Sequence, residues 1–151
     1  VANSQAMATS FKVEILTATH ALGTTVTRGA TTADTVKAAL YLATASLGAA
    51  TTAYSATGEV SGTNYTAGGV TVTNATAPTS SGTTAFWTPS ASIAYSNVTL
   101  STAFDAVLLY NSTQSNKAIS VHTFGSQTIT AGTFTLTMPT NDATNALIRI
   151  A

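Results

Sequence analysis

The side chains suited to acid–base chemistry are few: His20, His122 and five carboxylates, Glu14, Asp34, Glu59, Asp105 and Asp142. General acid–base or nucleophilic catalysis needs a base, a nucleophile and a third group to orient them. His122 stands between Val121 and Thr123 in a stretch that reads as a strand, and alternation places it on the face opposite Ile119 and Val121. Asp105 and a serine would complete a triad with it. In a serine-rich chain such a triple arises by chance, and a triad is defined by geometry rather than composition. His20 stands alone near the end of a helical pattern, where a histidine ordinarily faces the terminal carbonyls. The acids are too widely spaced for a calcium loop, and they show no pair of the kind a glycoside hydrolase needs. With no cysteine in the chain, disulfides and thiolate metal sites are excluded. The expectation is no catalytic residue, no metal and no cofactor.

The aromatic residues offer a different chemistry. Tyr54, Tyr65, Phe86, Trp87 and Tyr95 could line a carbohydrate or peptide site, because ring faces stack on sugars and dominate interface energetics. Phe86 and Trp87 are adjacent, so in a strand one should face inward and the other outward. The reading preferred here makes one ring core and the other a contact to a neighbouring subunit, with Tyr54 and Tyr65 beside it as interface residues.

These residues must be positioned by short strands. Over residues 10–22, Phe11, Ile15, Thr19 and Leu22 fall at helical spacing with Ser10 as an N-cap, although Val13, Ile15 and Thr17 also alternate as in a strand. A short helix is the preferred reading. Residues 23–34 form a threonine-rich connection. From Thr35 the period becomes two, with Val36, Ala38, Leu40 and Leu42 on one face. A turn is expected at Ala67-Gly68-Gly69, a strand at Val70 to Thr73, and its end over residues 78–82. Thr84 to Trp87, Ile93 with Tyr95, and Val98 with Leu100 read as separate brief strands. The run Ala106-Val107-Leu108-Leu109-Tyr110 reads as a central strand buried on both sides. Residues 111–116 form a turn, Ile119 and Val121 resume the period, and Phe134, Leu136, Ile148 and Ile150 continue it. Short strands with a turn signal every eight to twelve residues describe an all-β domain, an antiparallel sandwich or jelly-roll-like barrel, with a short helix or arm at the N-terminus. The length of 151 residues fits one domain, residues 1–151, with residues 1–9 as an extended arm.

Composition narrows the function classes. Charged residues make up 7% of the chain, against roughly a quarter in an average soluble protein. Threonine, serine and alanine take their place, and the formal net charge is +0. Neutrality favours association, so a surface made to contact other protein is expected. The basic residues Lys12, Arg28, Lys37, Lys117 and Arg149 form no run, which argues against nucleic-acid binding. The first residues show no signal-peptide pattern, and no stretch approaches the roughly 18 apolar residues of a membrane span; membrane association is not expected.

From Tyr54 the sequence runs Tyr-Ser-Ala-Thr-Gly-Glu-Val-Ser-Gly-Thr-Asn-Tyr-Thr-Ala-Gly-Gly, followed by a Val/Thr strand and Ala-Pro-Thr-Ser-Ser-Gly-Thr-Thr-Ala-Phe. It resembles a family of small virion structural proteins of tailed bacteriophages. The resemblance extends to Phe11-Lys-Val-Glu-Ile-Leu, Ala38-Ala-Leu-Tyr, Leu108-Leu-Tyr-Asn and the C-terminal stretch from Phe134. Its most specific part is Glu59-Val60-Ser61-Gly62 to Gly69. One departure is residues 23–34, longer and more threonine-rich than the expected connection. The resemblance implies a particle component and transfers no catalytic residue.

Two functions follow as expectations. The first is a capsid decoration, or cement, protein on the outer surface of the virion, with the major capsid protein and copies of itself as partners, as a homo-oligomer such as a trimer. The second is a tail-fibre, collar or head-fibre module that binds a host receptor or glycan through the aromatic residues.

Overall fold

The computed structural model describes residues 2–16, 19–25 and 32–151. Its elements in chain order are β1 (Ala6–Met7), α1 (Thr9–Leu16), β2 (Val36–Leu42), β3 (Val70–Thr71), β4 (Thr79–Ser81), β5 (Thr84–Trp87), β6 (Ile93–Asn111), β7 (Lys117–Leu136) and β8 (Ile148–Ile150). All pairings are antiparallel and make two sheets, one ordered β1-β7-β6-β2-β3 and one ordered β4-β5-β8. The fold is all-β and sandwich-like.

The apolar run 106–110 lies in β6, the middle strand of the larger sheet, and is buried on both faces. Its neighbour β2 is buried on both faces as well: Ala39 and Tyr41 are as enclosed as Ala38 and Leu40. Period two identified this strand correctly but counted only one of its covered faces.

The brief strands expected over residues 93–100 are instead the first half of one long strand, and residues 119–136 belong to one strand too. The polar residues that look like turn signals are irregularities inside a continuous ladder. Asn97 (φ 53°) and Ala131 (φ 46°) adopt left-handed backbone close to the Val98–Gly132 pair, where the register shifts. Bulges of this kind add twist and bend without ending the pairing.

Several such shifts between Tyr95 and Ala106 fold the ribbon back on itself. In a straight strand Tyr95 would lie roughly 45 Å from Leu109. Instead its hydroxyl donates to the carbonyl oxygen of Ala38, the partner of Leu109, at 2.9 Å. Phe134, opposite Tyr95, packs edge-on against Phe104 at 5.1 Å and against Phe124 at 5.1 Å. One half of the β6–β7 ribbon thus covers the other half.

The N-terminal stretch lies along the body. The Asn3 amide donates to Leu42 O (3.1 Å) and Asp105 Oδ1 (2.7 Å), and its oxygen accepts from the Leu47 N–H (2.9 Å). β1 pairs with β7, and Ala8 is fully buried. α1 starts at Thr9, so Ser10 lies inside the helix rather than capping it, and its hydroxyl is buried without a partner. The helix ends at Leu16, short of the expected Leu22; residues 17–18, and residues 26–31 of the threonine-rich connection, lie outside the described residues. Thr79–Ser81, expected only to end a strand, instead forms a hairpin with β5.

Candidate functional site

Glu59 gathers two tyrosine hydroxyls and a backbone N–H around its carboxylate. It lies in the loop beside β2, beyond the short pairing with β3, where the Val60 N–H donates to Leu40 O (3.0 Å) and the Leu42 N–H to Gly58 O (2.9 Å). The Glu59 carboxylate accepts from the Tyr54 hydroxyl (2.6 Å), the Tyr65 hydroxyl (2.8 Å) and the Gly68 N–H (2.7 Å). The Tyr65 hydroxyl also accepts the Leu40 N–H at 3.0 Å.

The three remaining tyrosines close around this group. Tyr41 donates to Ser55 O (2.5 Å), and Tyr110 donates to Gly68 O (2.8 Å). Tyr54 stacks on Tyr110 with centroids 4.8 Å apart, and Tyr65 stacks on Tyr95 at 6.0 Å. Tyr41 and Tyr110 share one face of the β2–β6 pair, whereas Tyr95 arrives from the folded-back ribbon. Two of the five tyrosines of the chain thus bond Glu59 directly, and the other three hold the backbone around it at Ser55, Gly68 and Ala38.

Burial and the negative charge of Glu59 both disfavour phenolate. Burial, with Glu59 adding to it, pushes Tyr41 up to about 12. The same two causes push Tyr54, Tyr65, Tyr95 and Tyr110 above the ordinary tyrosine value. These groups are locked as neutral donors, a chemistry suited to holding a loop rather than moving protons.

Gly69 completes the arrangement. At φ 71° it lies so close to β2 that an added Cβ would stand 1.7 Å from Ala38 O. Only glycine lets the loop reach the strand there.

A second polar group ties the N-terminal region to the ribbon turn. His20 Nε2 stands 2.8 Å from Glu14 Oε2, and Lys117 Nζ donates to Glu14 Oε1 at 2.7 Å. Asn111 Nδ2 donates to His20 Nδ1 (3.1 Å) and to Asp34 Oδ2 (2.7 Å). Asp34 also accepts from the Ala21 N–H and the Gln114 amide. Burial raises the Glu14 carboxyl, but hydrogen bonds from Lys117 and His20 outweigh it and hold it below its ordinary value. The His20 side chain is fully enclosed and faces Glu14 and Asn111 rather than helix-end carbonyls, so that expectation is corrected.

His122 meets Ser120, with Nε2 and Oγ 2.8 Å apart, but Asp105 is engaged by Asn3 elsewhere. Ser120 is buried, and burial pushes His122 down to about 4. The serine–histidine pair lacks both an orienting carboxylate and an accessible nucleophile. Among the described residues no cluster of metal-ligating side chains occurs.

Phe86 and Trp87 do not divide between inside and outside. Trp87 is 2% exposed and Phe86 8%. Both line a depression shared with Phe11, Leu22, Pro78 and Ile148, on β5, the middle strand of its sheet. The Trp87 indole N–H donates to Thr76 O at 3.1 Å. Tyr54 and Tyr65 are half-buried, with their hydroxyls turned to Glu59.

Sequence reading singled out Tyr54 and Tyr65 but treated Glu59 as an isolated acid. The spacing Tyr54, Glu59, Tyr65 around two glycines is the one local signal of the cluster; Tyr95 and Tyr110 join it only through the sheet. No protein-family model, no curated protein and no solved structure matches the chain.

Proposed function

We propose that the chain is a structural subunit of a tailed-bacteriophage particle, a capsid decoration protein that binds and braces the outer head lattice as an oligomer. The observation that carries this reading is the disposition of charge. Each of the five carboxylates is engaged within the chain: Glu14 by His20 and Lys117, Asp34 by Asn111, Glu59 by tyrosines, Asp105 by Asn3 and Asp142 by Asn145. Residues 60–104 and 118–141 contain no Asp, Glu, Lys or Arg. The surface over these stretches is uncharged and rich in hydroxyls, suited to contact with protein rather than nucleic acid. The resemblance of the 54–86 segment to small virion proteins points the same way.

In such a subunit each contact to the lattice can be weak, since oligomerisation makes the later ones intramolecular. Phe86 and Trp87 are enclosed, which weighs against the receptor- or glycan-binding module.

Quantitative mass spectrometry of purified particles tests the proposal. A copy number near that of the major capsid protein is expected. A few to a few dozen copies per particle would move the chain to the tail or collar, and its absence from particles would reject the reading.

A further inference from the structure

We propose that the free edge of β7, residues 125–135, is a self-association surface that pairs antiparallel with the same edge of a second copy. The inference rests on the reading of the chain as an assembling subunit and names the surface through which copies meet.

β7 is paired with β6 along one side from Lys117 to Leu136, with breaks in register, one of them at residues 124–126. On its other side β1 reaches only Ser120 and Val121. Among the described residues, no backbone partner lies along residues 125–135 on that side. The stretch belongs to a 20-residue strand, whereas the edge strands β3 and β4 are two and three residues long.

A long bare edge is a template for strand addition, and monomeric proteins blunt such edges with lysine, proline or inward charge. This edge carries none of these. Residues 118–141 have no charged side chain, and their one proline, Pro139, lies beyond the strand. Two irregularities, one between Thr123 and Gln127 and one at Ala131, bend the edge and leave residues 127–130 as the run between them.

The composition favours a second copy as the occupant. Two-fold pairing sets residue i opposite j and j opposite i, so residues beside the axis meet their own kind and the edge as a whole must complement itself. A charged edge would place like charges together; Gly125, Ser126, Gln127, Thr128 and Thr130 do not. The Thr128, Thr130, Thr133 and Thr135 side chains are exposed, and cross-strand threonine pairs are favourable.

The chain has no cysteine, so single-cysteine variants across residues 126–134 form a clean scan. A disulfide needs Cα atoms within about 7 Å, so mild oxidation should give covalent dimers at only one or two neighbouring positions, those beside the two-fold axis. Sedimentation of the wild-type protein should show a dimer or a multiple of it. Thr128→Lys with Thr130→Lys should shift it to monomer, while Thr79→Lys with Ser80→Lys on β4 should not. A wild-type monomer up to about 100 μM, or a scan without a localised crosslink, overturns the proposal, and the scan decides even if the lysine pair fails to fold. Chain found on particles but monomeric in isolation would sink this inference alone; an edge-paired dimer absent from particles would sink only the virion reading.

Discussion

The Tyr65 hydroxyl donates to Glu59 at 2.8 Å while accepting the Leu40 N–H at 3.0 Å, and so joins a loop carboxylate to the backbone of a central strand. A phenol is the one side chain long and stiff enough to do this while burying an apolar ring on the way. The loop is thereby held by side chains where β2 lacks a full neighbouring strand.

Glu59→Ala leaves two phenols and one N–H without their acceptor. It should lower the free energy of unfolding by about 3–5 kcal/mol, measured by urea titration. Glu59→Gln keeps an oxygen for Tyr65 and Gly68 and offers Tyr54 a donor, so it should cost less than half as much. Equal losses for the two variants would show that the acceptor geometry is not what matters.

The tyrosines set an alkaline limit. Their folded pKa values are raised above the ordinary value, Tyr41 to about 12 and the other four also upward. The protonated state is the stabilised one, so this contribution is fully present below about pH 10. It is lost as pH rises toward the folded values. Phenolate absorbance should stay low until the chain unfolds above about pH 11 and then rise in one cooperative step. Gradual ionisation of exposed phenols near pH 10 would contradict the cluster.

Gly69→Ala places a methyl inside the Ala38 carbonyl and a side chain at φ 71°. We expect a loss of more than about 3 kcal/mol or failure to fold. Gly125→Ala, where an added Cβ meets nothing within 4 Å, serves as the control and should be near neutral by thermal melting.

His122 sets an acid limit. Burial lowers it from 6.5 to about 4, so the neutral ring is the native form. Its contribution is present above pH 6.5 and is lost as pH falls through 4. His122→Gln keeps a partner for Ser120 without a titrating ring. The variant should show a flatter stability profile across that window in urea titrations; an unchanged slope would show that His122 does not set the acid limit.

The sequence made the centre of the sheet legible because apolar residues there are either continuous, as in 106–110, or recur at every second position, as Val36, Ala38, Leu40 and Leu42 do in β2. It misled where a polar residue serves as a bulge. Asn97 carries the chemistry of a turn residue, and only the opposite strand, with Ala131 displaced beside it, makes it an irregularity in a continuous ribbon. Phe86 and Trp87 were misjudged for a related reason: alternation assigns faces but does not say how many of them are covered. The Glu59 cluster and the Glu14–His20–Asn111 group join residues far apart in sequence, and nothing local marks Tyr110 or Asn111 as their partners.

Because the bent ribbon contributes to both layers, much of the sandwich can form by zipping outward from one turn, residues 112–116, with each step adding a pair without closing a new long loop. β2 must instead find β6 across the whole intervening chain, Val36 meeting Asn111. The slow event in folding is then the capture of β2 by a ribbon already formed. Kinetically, Leu108→Ala and Leu40→Ala should both slow folding, because the β2–β6 contacts they weaken form at the slow step. The hairpin acts as the template on which the rest of the chain is laid.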